Sequence, residues 1–137
     1  MLVCHPGPTV GYRIESPDGS MAFLPDHEPA LGLRNFPITP EWTSGYPLAK
    51  NVDLLIHDAQ YTNEEYYSHI GWGHSSLDQA LQFAAMAHVK QLVVYHHDPA
   101  HNDGQIDQIV AKAIDNEQPT FTVTAAVEGA SFELGSN

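Results

Sequence analysis

Residues able to bind a metal or move a proton recur in one kind of place in this chain, directly after short apolar runs. His5 follows residues 2–4, Asp26 follows 21–24, His57 and Asp58 follow 52–56, and His96, His97 and Asp98 follow 92–95. The apolar runs read as strands, and the ends of several strands in a layered sheet can open on one edge. Side chains remote in sequence then meet there. Imidazole nitrogens together with a carboxylate are a donor set that Zn²⁺, Mn²⁺ or iron accepts. A single histidine at a strand end is more commonly a hydrogen-bonded structural residue. The repetition of the placement is what points to a metal edge, since no paired Cys-x-x-Cys and no His-Glu-x-x-His occurs.

The elements that must position these residues are legible in outline. Residues 9–14 and 21–24 read as strands joined by Ser16-Pro17-Asp18-Gly19, strong turn chemistry for a hairpin. Residues 25–50 hold five prolines and few periodic apolar residues, which predicts a long irregular excursion. Residues 52–56 and 91–95 read as buried strands. Thr62 with Glu65, and Ser76 with Gln79, have capping-box spacing and open two helices. In the second of these Leu77, Ala80, Leu81, Ala84 and His88 fall on one face. Residues 105–114 predict a helix with Ile106, Ile109, Val110 and Ala113 inward, and 120–134 a final strand or a hairpin turning near Gly129. Strands and helices alternate through the second half, so the class is α/β or α+β in layers. At the start, residues 2–4 look like the end of a strand with nothing before it, and His5 stands close to a terminus that would fray. The whole of 1–137 is therefore expected to be one partial domain.

The same residues carry a resemblance. His5-Pro6-Gly7-Pro8-Thr9-Val10-Gly11-Tyr12-Arg13-Ile14 resembles the third metal motif of ribonuclease Z-like and related metallo-β-lactamase-fold hydrolases. Phe23-Leu24-Pro25-Asp26 is similar to the next motif, Leu54-Leu55-Ile56-His57-Asp58-Ala59 and Gly73-His74-Ser75-Ser76 to the two after it, and Val93-Val94-Tyr95-His96-His97 to the last. The resemblance implies an αββα sandwich, of which this chain supplies the C-terminal half. It implies two divalent ions, zinc first with manganese or iron as alternatives, roughly 3.5–4 Å apart. His5 would bind the first, Asp26 would bridge both, and His96, the member of the doublet directly after its strand, would bind the second. His74 is implied as proton donor or anchor for substrate charge, with Asp58 as its partner, and the amides opening the helix after Ser76 as a further anion contact. The implied reaction is attack of a metal-activated hydroxide on a phosphodiester. The family's His-x-His-x-Asp-His string is absent from these residues. The ligand set is thus expected to be incomplete, and the chain inactive until that half is supplied.

Other residues are given plainer roles. His69, His88 and His101 are read as structural, His27 as either an outer-shell group or an exposed one, and Cys4 as a small buried residue. Composition narrows the partners. A net charge of −12, from five Lys and Arg against 17 Asp and Glu, repels phosphate backbones, so a small or cyclic-nucleotide-like diester is expected rather than long nucleic acid. No apolar run nears the roughly 18–20 residues of a membrane span, and the single cysteine, which forms no internal disulfide, suits a cytoplasmic setting. A half-sandwich would leave an apolar sheet face open, so a homodimer or pairing with the upstream half is expected. The alternative is a non-catalytic binding or oligomerisation module that keeps the half-fold.

Overall fold

The computed structural model describes residues 1–31 and 39–134. Its centre is a five-stranded sheet in the order β3-β4-β5-β6-β7. The strands are β3 (Tyr12–Ser16), β4 (Gly19–Leu24), β5 (Leu54–Asp58), β6 (Gln91–Tyr95) and β7 (Thr122–Ala125). β3 and β4 form the expected hairpin, antiparallel with Ser16 opposite Gly19, so Pro17-Asp18 is the two-residue loop. From β4 onward every neighbour is parallel, and parallel pairs need long crossovers. The proline-rich stretch makes the first; α2 (Asn63–Ser68) and α3 (Leu77–Met86) make the second, and α4 (Asp103–Glu117) the third.

Both expected capping boxes are present: Thr62 with Glu65 on α2, and Ser76 with Gln79 on α3; α4 has a third, Asn102 with Gln105. Each pairs two amides that a helix start otherwise leaves open. α3 and α4 cover one face of the sheet. Side chains alternate across a strand, so Ala22 and Leu24, Leu55 and His57, Leu92 and Val94 turn inward to Leu81, Phe83 and Ala84. The opposite residues, Met21, Phe23, Ile56, Val93 and Tyr95, line an open apolar groove of about 670 Å³.

Several expectations change. Residues 9–14 are not one strand: β1 (Leu2–Val3) pairs with β2 (Thr9–Val10) in a separate small sheet, and Gly11 separates β2 from β3. A Cβ on Gly11 would lie 2.4 Å from Leu24 Cδ2 and 2.8 Å from Leu48 Cδ1, so the chain changes sheets where only glycine fits. The expected excursion 25–50 contains a 3₁₀ turn, Pro40–Trp42, and a one-turn helix α1, Tyr46–Ala49; residues 32–38 lie outside the described residues. β5 begins two residues later than expected, so His57 and Asp58 belong to the strand itself. His88 is exposed, with φ 54° just past the end of α3, not on its buried face. The final strand stops at Ala125, because its partner β6 ends at Tyr95 and offers no further backbone to pair with.

Candidate metal centre

The C-terminal ends of β4, β5 and β6 lie on one edge because these strands are parallel and nearly in step: Leu24 faces His57, and Asp58 faces Tyr95. Asp26 comes two residues after β4, Asp58 ends β5, and His96 comes one residue after β6. An open parallel sheet presents its ligands at this edge. His74 arrives from the crossover. The Tyr61 amide donates to the Ser75 carbonyl and the Leu77 amide to the Tyr61 carbonyl, which ties residues 74–77 beside the extension of β5. Asp26, Asp58, His74 and His96 then each offer one donor atom within 4.8 Å of the others.

Asp58 is fully buried, and its Oδ2 lies 2.6 Å from His74 Nδ1. The same oxygen accepts from the His27 amide at 3.0 Å. Burial pushes the Asp58 carboxyl up, offset in part by the bond to His74. Burial alone would lower His74, but the Asp58 contact outweighs it and holds the imidazole above its usual range. Both shifts favour one proton held between the two groups. Asp26 Oδ1 stands 3.5 Å from His96 Nε2, and the His96 ring stacks on His74 with centroids 4.8 Å apart. His96 sits at φ 62°, a left-handed conformation uncommon for a non-glycine residue and often met at functional sites.

The donors fit a divalent cation. Two carboxylates share the pocket with imidazole nitrogens, the mixed O/N set that zinc, manganese and iron take. His96 Nδ1 is buried with no hydrogen-bond partner among the described residues. His5 stands at the rim, edge-on to His74 at 5.5 Å between centroids, but falls outside the four-atom cluster. Its approach depends on Gly73, where a Cβ would lie 2.2 Å from the His5 ring and φ is +94°. His97, the other member of the doublet, is turned towards the Ala126 backbone at the end of β7. The helix start after Ser76 is already occupied: the Ser76 amide donates to Gln79 Oε1, Leu77 to Tyr61, and Gln79 to Ser76 Oγ. It is therefore not the open anion site expected from the sequence.

Behind the cluster lie residues outside the implied ligand set. His27, left open as outer-shell or exposed, is fully buried; its Nδ1 is 2.9 Å from His57 Nε2, and His57 Nδ1 is 2.5 Å from the Asp58 carbonyl. Since a carbonyl only accepts, His57 Nδ1 carries the proton, and His27 Nδ1 then donates to His57 Nε2. Burial lowers both, His57 to about 4 and His27 well below its usual range, with the neighbouring His57 pushing His27 further. Cys4 is partly exposed rather than buried, and burial of its thiol together with Glu28 raises its pKa, unlike an activated nucleophile. His69 and His101 are tied to α2, through the Glu65 carbonyl and carboxylate respectively.

Glu28 is the residue the sequence concealed. It is 1% exposed, and its carboxylate accepts from Tyr66 Oη (2.9 Å), the Gly71 amide (2.9 Å) and the Gly73 amide (2.8 Å). Its only forewarning was its position in the run after β4. Glu28→Ala strands these donors, and each unmade bond to a buried charged group costs a kcal/mol or more. The expected loss is about 3 kcal/mol in urea unfolding, with Glu28→Gln losing less. A change below about 0.5 kcal/mol, the scale of an ordinary surface substitution, would show the clamp to be idle.

The family described as "Beta-lactamase superfamily domain" matches residues 2–97. The chain is 33% identical to "Ribonuclease Z" of Brevibacillus brevis over 65% of its length and 27% of that protein's. It is 31% identical to "Ribonuclease BN" of Citrobacter koseri over 75% of its length and 32% of that protein's. It thus spans about a third or less of these curated relatives. Among solved structures it superposes on the metallo-beta-lactamase fold protein YhfI from Bacillus subtilis with TM-score 0.69 and 18% identity, covering 95% of this chain and 46% of that one. On the short form of human tRNase Z the TM-score is 0.63 with 21% identity, covering 96% of this chain and 40% of that one.

Proposed function

Because the chain belongs to the metallo-β-lactamase superfamily, in its ribonuclease Z branch, we propose that it supplies one wall of a binuclear, metal-dependent phosphodiesterase centre. The observation that carries this is the convergence of Asp26, Asp58, His74 and His96 within 4.8 Å at the parallel strand ends. Asp26 and His96 would hold the metal, with His5 at the rim as a further candidate ligand. A cation held there, with zinc preferred, would supply Lewis acidity and lower the pKa of water towards about 7.

The protein's own part is orientation and proton transfer. Asp58 holds the His74 imidazole through Nδ1, which leaves Nε2 to face the scissile group and give a proton to the departing oxygen. The acidic charge favours a small or cyclic-nucleotide-like diester over long RNA, and a cytoplasmic setting suits such a substrate. The groove over Phe23, Ile56 and Val93 is apolar and open, as a face that an upstream segment bearing His-x-His-x-Asp-His would cover has to be. That segment would bring the ligands this chain lacks.

Metal titration by calorimetry tests the assignment. With the upstream half restored, two ions bind; alone, this chain holds no more than one, weakly. Asp26→Asn lowers affinity at least tenfold, since a lost metal ligand exceeds the effect of its outer partners. Hydrolysis of bis(4-nitrophenyl) phosphate by the restored protein is the activity readout. Tight binding of two ions by this chain alone would sink the shared-centre reading. Absence of metal binding with the upstream half present would favour a non-catalytic module.

A further inference from the structure

We propose that Trp72 is a stacking platform for the nucleobase of the substrate, held on the turn that leads into His74 by a buried clamp. The indole is 61% exposed, with Tyr67 and Ile70 also exposed nearby in sequence. It is nonetheless fixed. The amides on either side of it, Gly71 and Gly73, each donate to a separate oxygen of the buried Glu28 carboxylate. The Trp72 amide donates to the His69 carbonyl at 3.0 Å. Gly71 and Gly73 both have left-handed φ, +85° and +94°, which the turn requires and other residues resist. The His69 ring meets the indole edge-on at 4.8 Å and is itself stacked on Tyr61 at 4.6 Å.

A large apolar ring presented to water on a rigid turn is suited to a ligand that covers its face. Its position indicates which ligand. Trp72 is carried on the same turn as His74, Gly73 abuts His5, and the indole is linked to His74 through the rings of His69 and Tyr61. Cations are few: the chain has five Lys and Arg, and among the described residues Arg13 is paired with Glu15 and Lys90 with Asp53. A π-face is the compatible source of affinity, and it serves any base because every base has one. The identity of the ligand as a nucleotide rests on the hydrolase reading above.

The test uses the two tryptophans of the chain. Trp42→Phe leaves Trp72 as the sole indole. Titration with adenosine 5′-monophosphate should quench its emission saturably, while ribose 5-phosphate should not. In the otherwise native chain Trp72→Ala should weaken adenosine 5′-monophosphate binding about tenfold and leave ribose 5-phosphate unchanged, with Trp72→Phe in between. No quenching, or equal binding after Trp72→Ala, overturns the proposal. The two readings fail separately. Stacking without diester hydrolysis by the restored protein removes the hydrolase and keeps the platform. Hydrolysis of nucleotide diesters with a KM indifferent to Trp72→Ala does the reverse.

Discussion

Between pH 6.5 and 4 the chain should lose stability steeply, by about 3 kcal/mol from His57 alone, and urea midpoints taken at successive pH values should record the fall. His57 is fully buried and its pKa lies at about 4 in the fold, against about 6.5 in an unfolded chain. A group whose folded pKa is depressed leaves stability intact above the unfolded value. Below it the unfolded chain binds the proton first, and stability drops by about 1.4 kcal/mol per pH unit until the folded pKa is reached. His27 adds a second loss of the same sign.

The pair makes the effect harder to evade. One proton could be taken up by shifting the tautomer of His27, since a charged His57 can donate both to the Asp58 carbonyl and to His27. A second would place two buried positive rings 2.9 Å apart. His74 does not offset the loss: its raised pKa makes a contribution that is complete below about 6.5 and fades only as pH rises. Asp53, held at about 2 by Lys90 and Ser20, begins to lose its contribution only below its unfolded value of 3.8. His57→Asn should flatten the slope across this window. A midpoint constant from pH 6.5 to 4.5 in the unmodified chain would mean that the imidazoles reach water.

The way these residues escaped the sequence shows what such a reading can reach. The hairpin, two of the capping boxes and the strand ends carrying Asp26 and His96 were legible, because each is written in neighbouring residues: a Pro-Asp turn, a Ser or Thr three before Gln or Glu, an apolar run that stops. His57 was readable in principle, since Leu55 and His57 share a face at period two, but a polar residue after an apolar run looks like the end of a strand. Its burial is decided by Phe83 and His27, neither of them local. Glu28 offered less. Its partners are a tyrosine hydroxyl and two backbone amides 38 to 45 residues away, and amides leave no mark in a sequence. The length of β7 failed for a related reason: residues 120–134 suit a strand locally, but a strand needs a neighbour, and β6 stops at Tyr95.

His74 is where local geometry and family resemblance pull apart, and a large effect on rate separates them. Its position within 4.8 Å of Asp26, Asp58 and His96 would suit a metal ligand, whereas the resemblance makes it a proton donor. The bond to Asp58 orients the ring for either role. On the resemblance, Nδ1 is committed to this fully buried carboxylate and Nε2 is the nitrogen that gives the proton. His74→Ala in the restored protein should therefore lower turnover of a diester with a poor alkoxide leaving group by about 10²–10⁴-fold, the range of general acid catalysis. Metal affinity measured in parallel should stay within a few-fold of the native value. With a 4-nitrophenolate leaving group, which departs without a proton, the loss in rate should shrink markedly. Asp58→Asn should follow the same pattern with a smaller amplitude, since it removes the group that orients the imidazole but leaves the ring. If His74→Ala instead depletes the metal and slows both substrates alike, His74 is a ligand, and Asp58 is the outer partner that fixes its tautomer.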